Sequence, residues 1–430
     1  MTSGPDPLGT LDAVYRLEGA RIIAGLARTT RDIGLAEDSL QDAMVAAMQR
    51  WPSAGVPTNP AAWLTLEAKH RAIDRIRRSV NLDEKLDGVA DDERQRARVE
   101  IDSGGHDFDL IVQHEGIEDD VLRLLFATCD PQLGREAQVA LTLRLLGGLS
   151  TREIARAYLV PEQTIAQRIV RGRRRLADAG FDAATPSESE RRDRLASVLE
   201  VVYLIFTEGH AATAGDAWVR PDLCLEALRL ARMLTTLAPD DAEVHGLAAL
   251  LELQASRLRA RTDASGSPVR LADQDRDVWD RLLIQRGFRS LARAHSLADV
   301  PGAYAIQAAI AASHARAVSD ADTDWATIAE LYRMLSTVAP SPVVTLNRAV
   351  AVFRAEGPTE GLSVLDTIAD SPELAEHHLL AAVRGEMLLE LGDSWAAAVQ
   401  LRRAAELAPS ERERELFERR AQQAAGPQEG

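Results

Sequence analysis

Residues 149–176, LSTREIARAYLVPEQTIAQRIVRGRRRL, constrain the fold more than any other part of the chain. Ser150 and Glu153 stand in the S-x-x-E pattern of a capping box, in which hydroxyl and carboxylate each take a backbone amide at a helix start. Ile154, Ala155 and Tyr158 then supply a packing face. The turn is LVPE, with Pro161 suited to the first position of the next helix. In that helix Ile165 and Ile169 face inward, while Glu162, Gln163, Thr164, Gln167, Arg168 and Arg171 face outward. This is the layout of a helix-turn-helix, whose second helix enters the major groove of DNA. Gln and Arg read base edges there, and Arg also binds phosphate. Arg171, Arg173, Arg174 and Arg175 have no acidic neighbour in sequence before Asp178, so phosphate is their expected partner. In the competing reading they lie on a solvated helix face and pair with the acidic remainder of the chain.

That remainder is strongly acidic, with a formal net charge of -16. Such a surface opposes nonspecific adhesion to nucleic acid and leaves room only for local basic sites. Aromatic residues make up 4% of the chain, while Ala and Leu are abundant, which favours helices over sandwiches or barrels. At 430 residues, two or three domains are expected. Cys129 and Cys224 are the only cysteines, too few for a disulfide framework or a cysteine zinc site. The start, MTSGPDPLGT, lacks the basic and apolar regions of a signal peptide. The most apolar stretch, VLEVVYLIF, is too short to span a bilayer and contains Glu200. A cytoplasmic location is expected.

The reading along the chain is all-α. A first unit covers 11–80. In SLQDAMVAAMQRW, Leu40, Met44, Ala47 and Trp51 form a helical stripe. After GVPTNP, a second helix places Leu66, Ile73, Ile76 and Val80 on one face and Arg71, Arg75 and Arg78 on another. Residues 81–118 are polar, acidic and glycine-bearing, and read as a flexible linker. A second unit, 119–180, contains the helix-turn-helix. A third, 187–423, is a run of helices broken at Pro239, Pro340 and Pro409. Within it, two segments align at an offset of 35 residues, superposing Gly357 on Gly392, as in a tetratricopeptide-type repeat. An irregular helical domain is the alternative.

Taken together, GREAQVALTLRLLGGLSTREIARAYLVPEQTIAQRIVRGRRRL resembles region 4 of an extracytoplasmic-function sigma factor. The segment AEDSLQDAMVAAMQRW…NPAAWLTLEAKHRAIDRIRR resembles region 2 of the same family. YLVPEQTIAQRIVRGRRR, YLIFTEGH and DQDRDVWD resemble the subgroup with a long helical-repeat extension. The resemblance implies a promoter-specificity subunit of bacterial RNA polymerase that docks on the β′ clamp and β flap. It nominates Asp38, Gln41 and Asp42 as core-polymerase contacts. It makes Lys69, His70, Arg71, Asp74, Arg75, Arg77 and Arg78 candidates for −10 DNA, through capture of an unstacked base beside a basic track. It makes Glu162, Gln163, Thr164, Gln167, Arg168, Arg171, Arg173 and Arg174 candidates for −35 DNA. Family members often carry Asn where His70 stands, and a small residue where Leu159 stands. Trp63 matches a family tryptophan and reads as core rather than as a stacking platform.

The resemblance also implies that the extension regulates the two sigma regions or their contact with polymerase. Glu208, His210, Asp273, Asp275 and Asp277 invite an ion-binding reading. Gly209 ending a helix, and acids at the N-terminus of the helix containing Trp279, explain them better. No metal, cofactor or catalytic residue is expected. A conventional helix-turn-helix regulator with a helical-repeat sensor is the alternative function. The phosphate-loop, nucleophile-elbow and zinc-protease motifs of an enzyme are absent from the sequence.

Overall fold

The computed structural model describes residues 6–86, 117–130, 132–158, 160–179, 188–210, 219–263, 269–375, 378–408 and 411–425. Leu159, Pro409 and linker residues 87–116 lie outside the described residues. The described regular elements are α-helices and short 3-10 turns, as the composition leads one to expect. By packing, the chain divides into two compact units, 1–237 and 238–430.

The first unit opens with α1 (Pro7–Thr30), α2 (Ile33–Ala54) and α3 (Pro60–Leu86). Asp6 and Asp32 start α1 and α2 by accepting backbone amides at 3.0–3.1 Å, which satisfies donors the helix itself leaves open. Helix α2 packs on both α1 and α3. Leu40, Ala47 and Trp51 are buried, as the stripe requires. On α3 the expected face is turned. Leu64, Ala68 and Ala72 are buried, whereas Leu66 is 53% exposed. Two of the three core positions are alanines, whose small apolar area made them weak markers. A fully buried leucine such as Leu40 or Leu64 contributes about 2 kcal/mol.

Next come α4 (Ile117–Thr128), α5 (Arg135–Leu145), α6 (Thr151–Tyr158) and α7 (Glu162–Ala179). Helix α7 packs on α5 and α6 and also touches α2. Ile154 and Ile165 are fully buried and Ile169 nearly so, as expected. Cys129 and Cys224 are buried and free. Burial pushes the Cys129 thiol up to about 11, against the pull of Thr142 and Thr128. It is therefore an inert core group.

Helices α8 (Glu188–His210) and α9 (Pro221–Leu237) form a hairpin within this unit. Glu208 pairs with Arg220 at 2.6 Å, and Arg220 also donates to the Ala157 carbonyl near the end of α6. Arg229 repeats the device, pairing with Glu226 at 2.7 Å and donating to the Leu146 carbonyl after α5. Two guanidiniums thus meet carbonyls at helix C-termini, where cations are favoured. Gly209 does not end α8, which continues through His210.

The second unit contains α10 (Ala242–Ala255), α11 (Arg281–Leu297), α12 (Ala303–Arg316), α13 (Trp325–Val338), α14 (Pro342–Glu356), α15 (Pro358–Asp366), α16 (His378–Glu390), α17 (Ser394–Leu407) and α18 (Glu411–Ala425). Asp275 and Asp277 sit at a 3-10 turn, Arg276–Val278. Trp279 precedes α11 rather than lying in it, and Asp280 caps α11 through the Leu282 and Leu283 amides. Helix α14 ends at Gly357 with φ 116°, and Gly392 follows α16 with φ 82°. Both conformations favour glycine. Each glycine of the aligned pair lies just past a helix end, Gly357 directly after Glu356 and Gly392 two residues after Glu390. Core clusters form between successive helices, one around Ile310, Ile328 and Val352, another around Leu346, Leu365 and Met387, a third around Leu401, Ala404 and Phe417. Neighbour-to-neighbour cores are the packing rule of helical arrays.

Candidate nucleic-acid interface

The capping box at the start of α6 is formed. The Ser150 amide donates to Glu153 Oε2 at 2.7 Å, and the Glu153 amide donates to Ser150 Oγ at 3.2 Å. Burial raises the Glu153 pKa, but the Ser150 amide and hydroxyl, both donating to the carboxylate, and the Arg16 guanidinium outweigh it and lower the pKa. Helix α7 then presents Glu162, Gln163, Gln167, Arg171 and Arg174 to solvent, with Thr164 and Arg168 half-buried. Arg168 pairs with Glu136 at 2.9 Å. Among the described residues, Arg171 and Arg174 make no ion pair. Arg175 donates to the Gln132 carbonyl at 2.9 Å.

On α3, His70, Asp74, Arg77 and Arg78 are exposed. Their spacing places them along one side of the helix. Lys69 is half-buried and partnered. Arg71 is drawn back to Glu67, at 2.9 and 3.1 Å. Arg75 turns toward α2, bonding Asp42 at 2.6 Å and Asp38 at 3.3 Å. Its bond to Asp42 raises the Arg75 pKa. Trp63 packs edge-on to Trp51, with ring centroids 5.6 Å apart, a core arrangement.

The two clusters meet through Glu37, which is fully buried on α2. Its carboxylate accepts from Gln41 at 2.6 Å and Arg144 at 2.7 Å, and pairs with Arg173. Arg173 also reaches Asp38 at 3.2 Å. Arg16 of α1 bonds Glu153 of α6 at 3.0 Å. The three candidate polymerase contacts, Asp38, Gln41 and Asp42, are thus half-buried and each bonded internally. A buried carboxylate is tolerable only with partners of this kind. Burial lowers the Arg173 pKa, with Asp32 and Tyr15 opposing. Pairing of the arginine run with acidic groups therefore holds for Arg173, and fails for Arg171 and Arg174.

Sequence reasoning did not single out Glu37, Arg144 or Arg16. One signal was present: Glu37 lies on the same stripe as buried Ile33 and Leu40. An acid on a buried stripe calls for a cation from another element.

A capped helix-turn-helix with a solvent-facing polar second helix, beside a second basic helix, defines a DNA-binding transcription protein. Residues 14–81 match the family described as Sigma-70 region 2, and residues 125–176 match Sigma-70, region 4. Residues 194–295 match a family of unknown function, DUF6596. An uncharacterized protein of Rhizobium meliloti (strain 1021) is 41% identical over 404 residues, covering 93% of this chain and 92% of its own. The chain belongs to the sigma-70 family, as an extracytoplasmic-function type sigma factor with a C-terminal extension. Proteins of this family bind core RNA polymerase and promoter DNA and act in promoter recognition at initiation. Among the described residues no helix is long and apolar enough to cross a membrane.

Proposed function

We propose that α7 reads the −35 element through Glu162, Gln163, Thr164, Gln167, Arg168, Arg171 and Arg174, and that α3 holds −10 DNA. The observation that carries this reading is the face of α7. Its exposed Arg171 and Arg174 make no ion pair among the described residues of a chain rich in acid, and Gln163 and Gln167 stand exposed beside them. On α3 the exposed His70, Arg77 and Arg78 supply the outer track for the unpaired strand, while Lys69, Arg71, Asp74 and Arg75 flank it. Asp38, Gln41 and Asp42 dock on the β′ clamp of polymerase, and region 4 docks on the β flap.

In the free chain Arg75 and Arg173 occupy the same acids that polymerase requires. Engagement of the clamp exchanges those internal pairs for intermolecular ones, freeing Arg173 to reach DNA. Each reader alone binds weakly, and polymerase supplies the common scaffold that raises effective concentration. The extension, built of successive helix pairs resembling a tetratricopeptide array, regulates this exchange. The α8–α9 hairpin, with its two arginines on region 4 carbonyls, is its point of attachment.

Run-off transcription with core polymerase tests this, comparing the full chain with one ended after residue 237. A change in promoter-directed output, or in polymerase affinity, is expected. Identical output and affinity reject regulation by the second unit.

A further inference from the structure

Helix α11 carries a charge pattern that neither its own packing nor the two sigma regions explain. Its sequence, RLLIQRGFRSLARAHSL, holds four arginines and no acid, in a chain with 66 acidic residues against 50 Lys and Arg. One face is fixed to its neighbours. Ile284, Gly287, Leu291 and Ala294 are buried, and Ser290 Oγ donates to Glu252 of α10 at 2.9 Å. Helix α10 comes so near that a β-carbon at Gly287 would stand 2.6 Å from Leu253. Close packing of this kind holds the opposite face in one orientation. That face presents Arg286, Arg289 and Arg293, at i, i+3 and i+7, all exposed.

Like charges at these spacings weaken a helix. Other exposed arginines of the second unit have an acid one turn away: Arg333 pairs with Glu330 at 2.6 Å, Arg403 with Glu406 at 3.0 Å, and Arg414 with Glu411 at 3.3 Å. Around Arg286 and Arg289 the corresponding positions are Leu282, Leu283, Gln285, Ser290, Ala292 and Arg293. Among the described residues neither Arg286 nor Arg289 makes an ion pair. Arg281 and Arg293 reach Asp277 at 3.7 Å and Asp240 at 3.1 Å, pairs open to solvent and readily exchanged. The helix dipole favours cations in the last turn, which accounts for His295 but not for Arg286 or Arg289.

Arginines fixed over about 10 Å of helix axis do not converge on one small anion. They suit a row of anions, such as the phosphates of a strand, one per about 3.4 Å of duplex axis. Among the described residues of this face, Leu282 at the first turn is the one large apolar side chain, 54% exposed. A protein-binding face would carry aromatic or apolar anchors at its centre. We propose that α11 binds the phosphate backbone of duplex DNA through Arg286, Arg289 and Arg293, a sequence-independent contact made by the second unit in addition to the two sigma readers. Arginines on the side of a helix grip phosphate without reading bases. Duplex DNA is the polyanion that proteins of this family engage. The contact does not depend on which residues of α3 and α7 read the promoter.

The test is a salt titration of the full chain on duplex DNA lacking −10 and −35 elements, read by fluorescence anisotropy between about 50 and 200 mM NaCl. Arg286→Gln combined with Arg289→Gln should weaken binding about tenfold at the lower salt and reduce the salt slope by about two. Arg286→Lys combined with Arg289→Lys should keep both, because a lysine serves phosphate as a point charge. Both side chains are exposed, so the unfolding midpoints of the variants should match the parent. A second measurement locates the contact. Iron-EDTA tethered at Ala292→Cys, an exposed position on α11, should cut the duplex in the complex of full chain, core polymerase and promoter DNA. An unchanged salt slope in the glutamine variant, or a lysine variant as weak as the glutamine one, overturns the proposal, and so does the absence of cutting. Lost retention on core polymerase with DNA affinity unchanged would also overturn it, in favour of an acidic protein partner. Failure of the promoter reading is told apart by the Arg171→Ala, Arg174→Ala double variant, whose run-off product does not depend on α11.

Discussion

Arg173, in the helix that carries the −35 candidates, forms an ion pair with Glu37, a fully buried acid in the helix that carries the polymerase-contact candidates. Arg144 closes on the same carboxylate, and Arg173 extends to Asp38. The pairing joins region 2 to region 4 side by side, through residues 136 positions apart.

Glu37→Gln removes the carboxylate from two guanidiniums at once. A broken buried pair costs about 3–5 kcal/mol. Denaturant unfolding of the full chain should show a loss in this range. A double-mutant cycle with Arg173→Met should be strongly non-additive, because the second change removes a group already stranded. Additive losses would mean the two residues act independently.

Arg171→Ala should leave stability within about 0.5 kcal/mol of the parent, since the side chain is exposed. Its effect belongs to DNA. A base contact costs about 1–3 kcal/mol of discrimination, whereas a phosphate contact lowers the salt slope by about one. Titrating holoenzyme with promoter DNA over a range of salt separates the two. An unchanged affinity and slope would remove Arg171 from the interface.

The helix-turn-helix was legible because its signals are local. The capping pair Ser150 and Glu153, the apolar positions Ile154, Ile165 and Ile169, and the proline turn lie within 28 consecutive residues. The destinations of the arginines were not legible. Arg75 and Arg173 occupy helix positions like those of Arg78 and Arg171, and only the approach of α2 turns them inward. Leu66 misled for a related reason. Burial on α3 is decided by close packing of Ala68 and Ala72, small side chains that a hydrophobic pattern ranks below leucine.

Arg220→Ala tests the hairpin clamp on region 4. The change removes the guanidinium that pairs with Glu208 and donates to the Ala157 carbonyl. Both side chains are largely buried, so a loss of about 3 kcal/mol is expected. Hydrogen exchange should rise first at the α6 C-terminus, and unaltered protection there would contradict the assignment.

His314 gives a signed dependence on pH. Burial, then Arg257 and Arg276, lower its pKa from 6.5 to about 4, with Asp320 opposing. The folded state binds this proton less readily than the unfolded chain. Its contribution is therefore complete above pH about 6.5 and is lost as pH falls toward about 4, by as much as about 3 kcal/mol. Carboxylates titrate in the same window, so the readout is the difference between parent and His314→Gln. The variant should lose less stability than the parent between pH 7 and pH 4.5, and parallel curves would refute the shift.

The most direct measurement is run-off transcription on promoter DNA by core polymerase supplied with the full chain, alongside retention of the chain on immobilised core enzyme. The account predicts discrete, chain-dependent start sites, and at least a tenfold loss of product with the Arg171→Ala, Arg174→Ala double variant at unchanged retention. A core enzyme that neither retains the chain nor starts at new sites in its presence would contradict it.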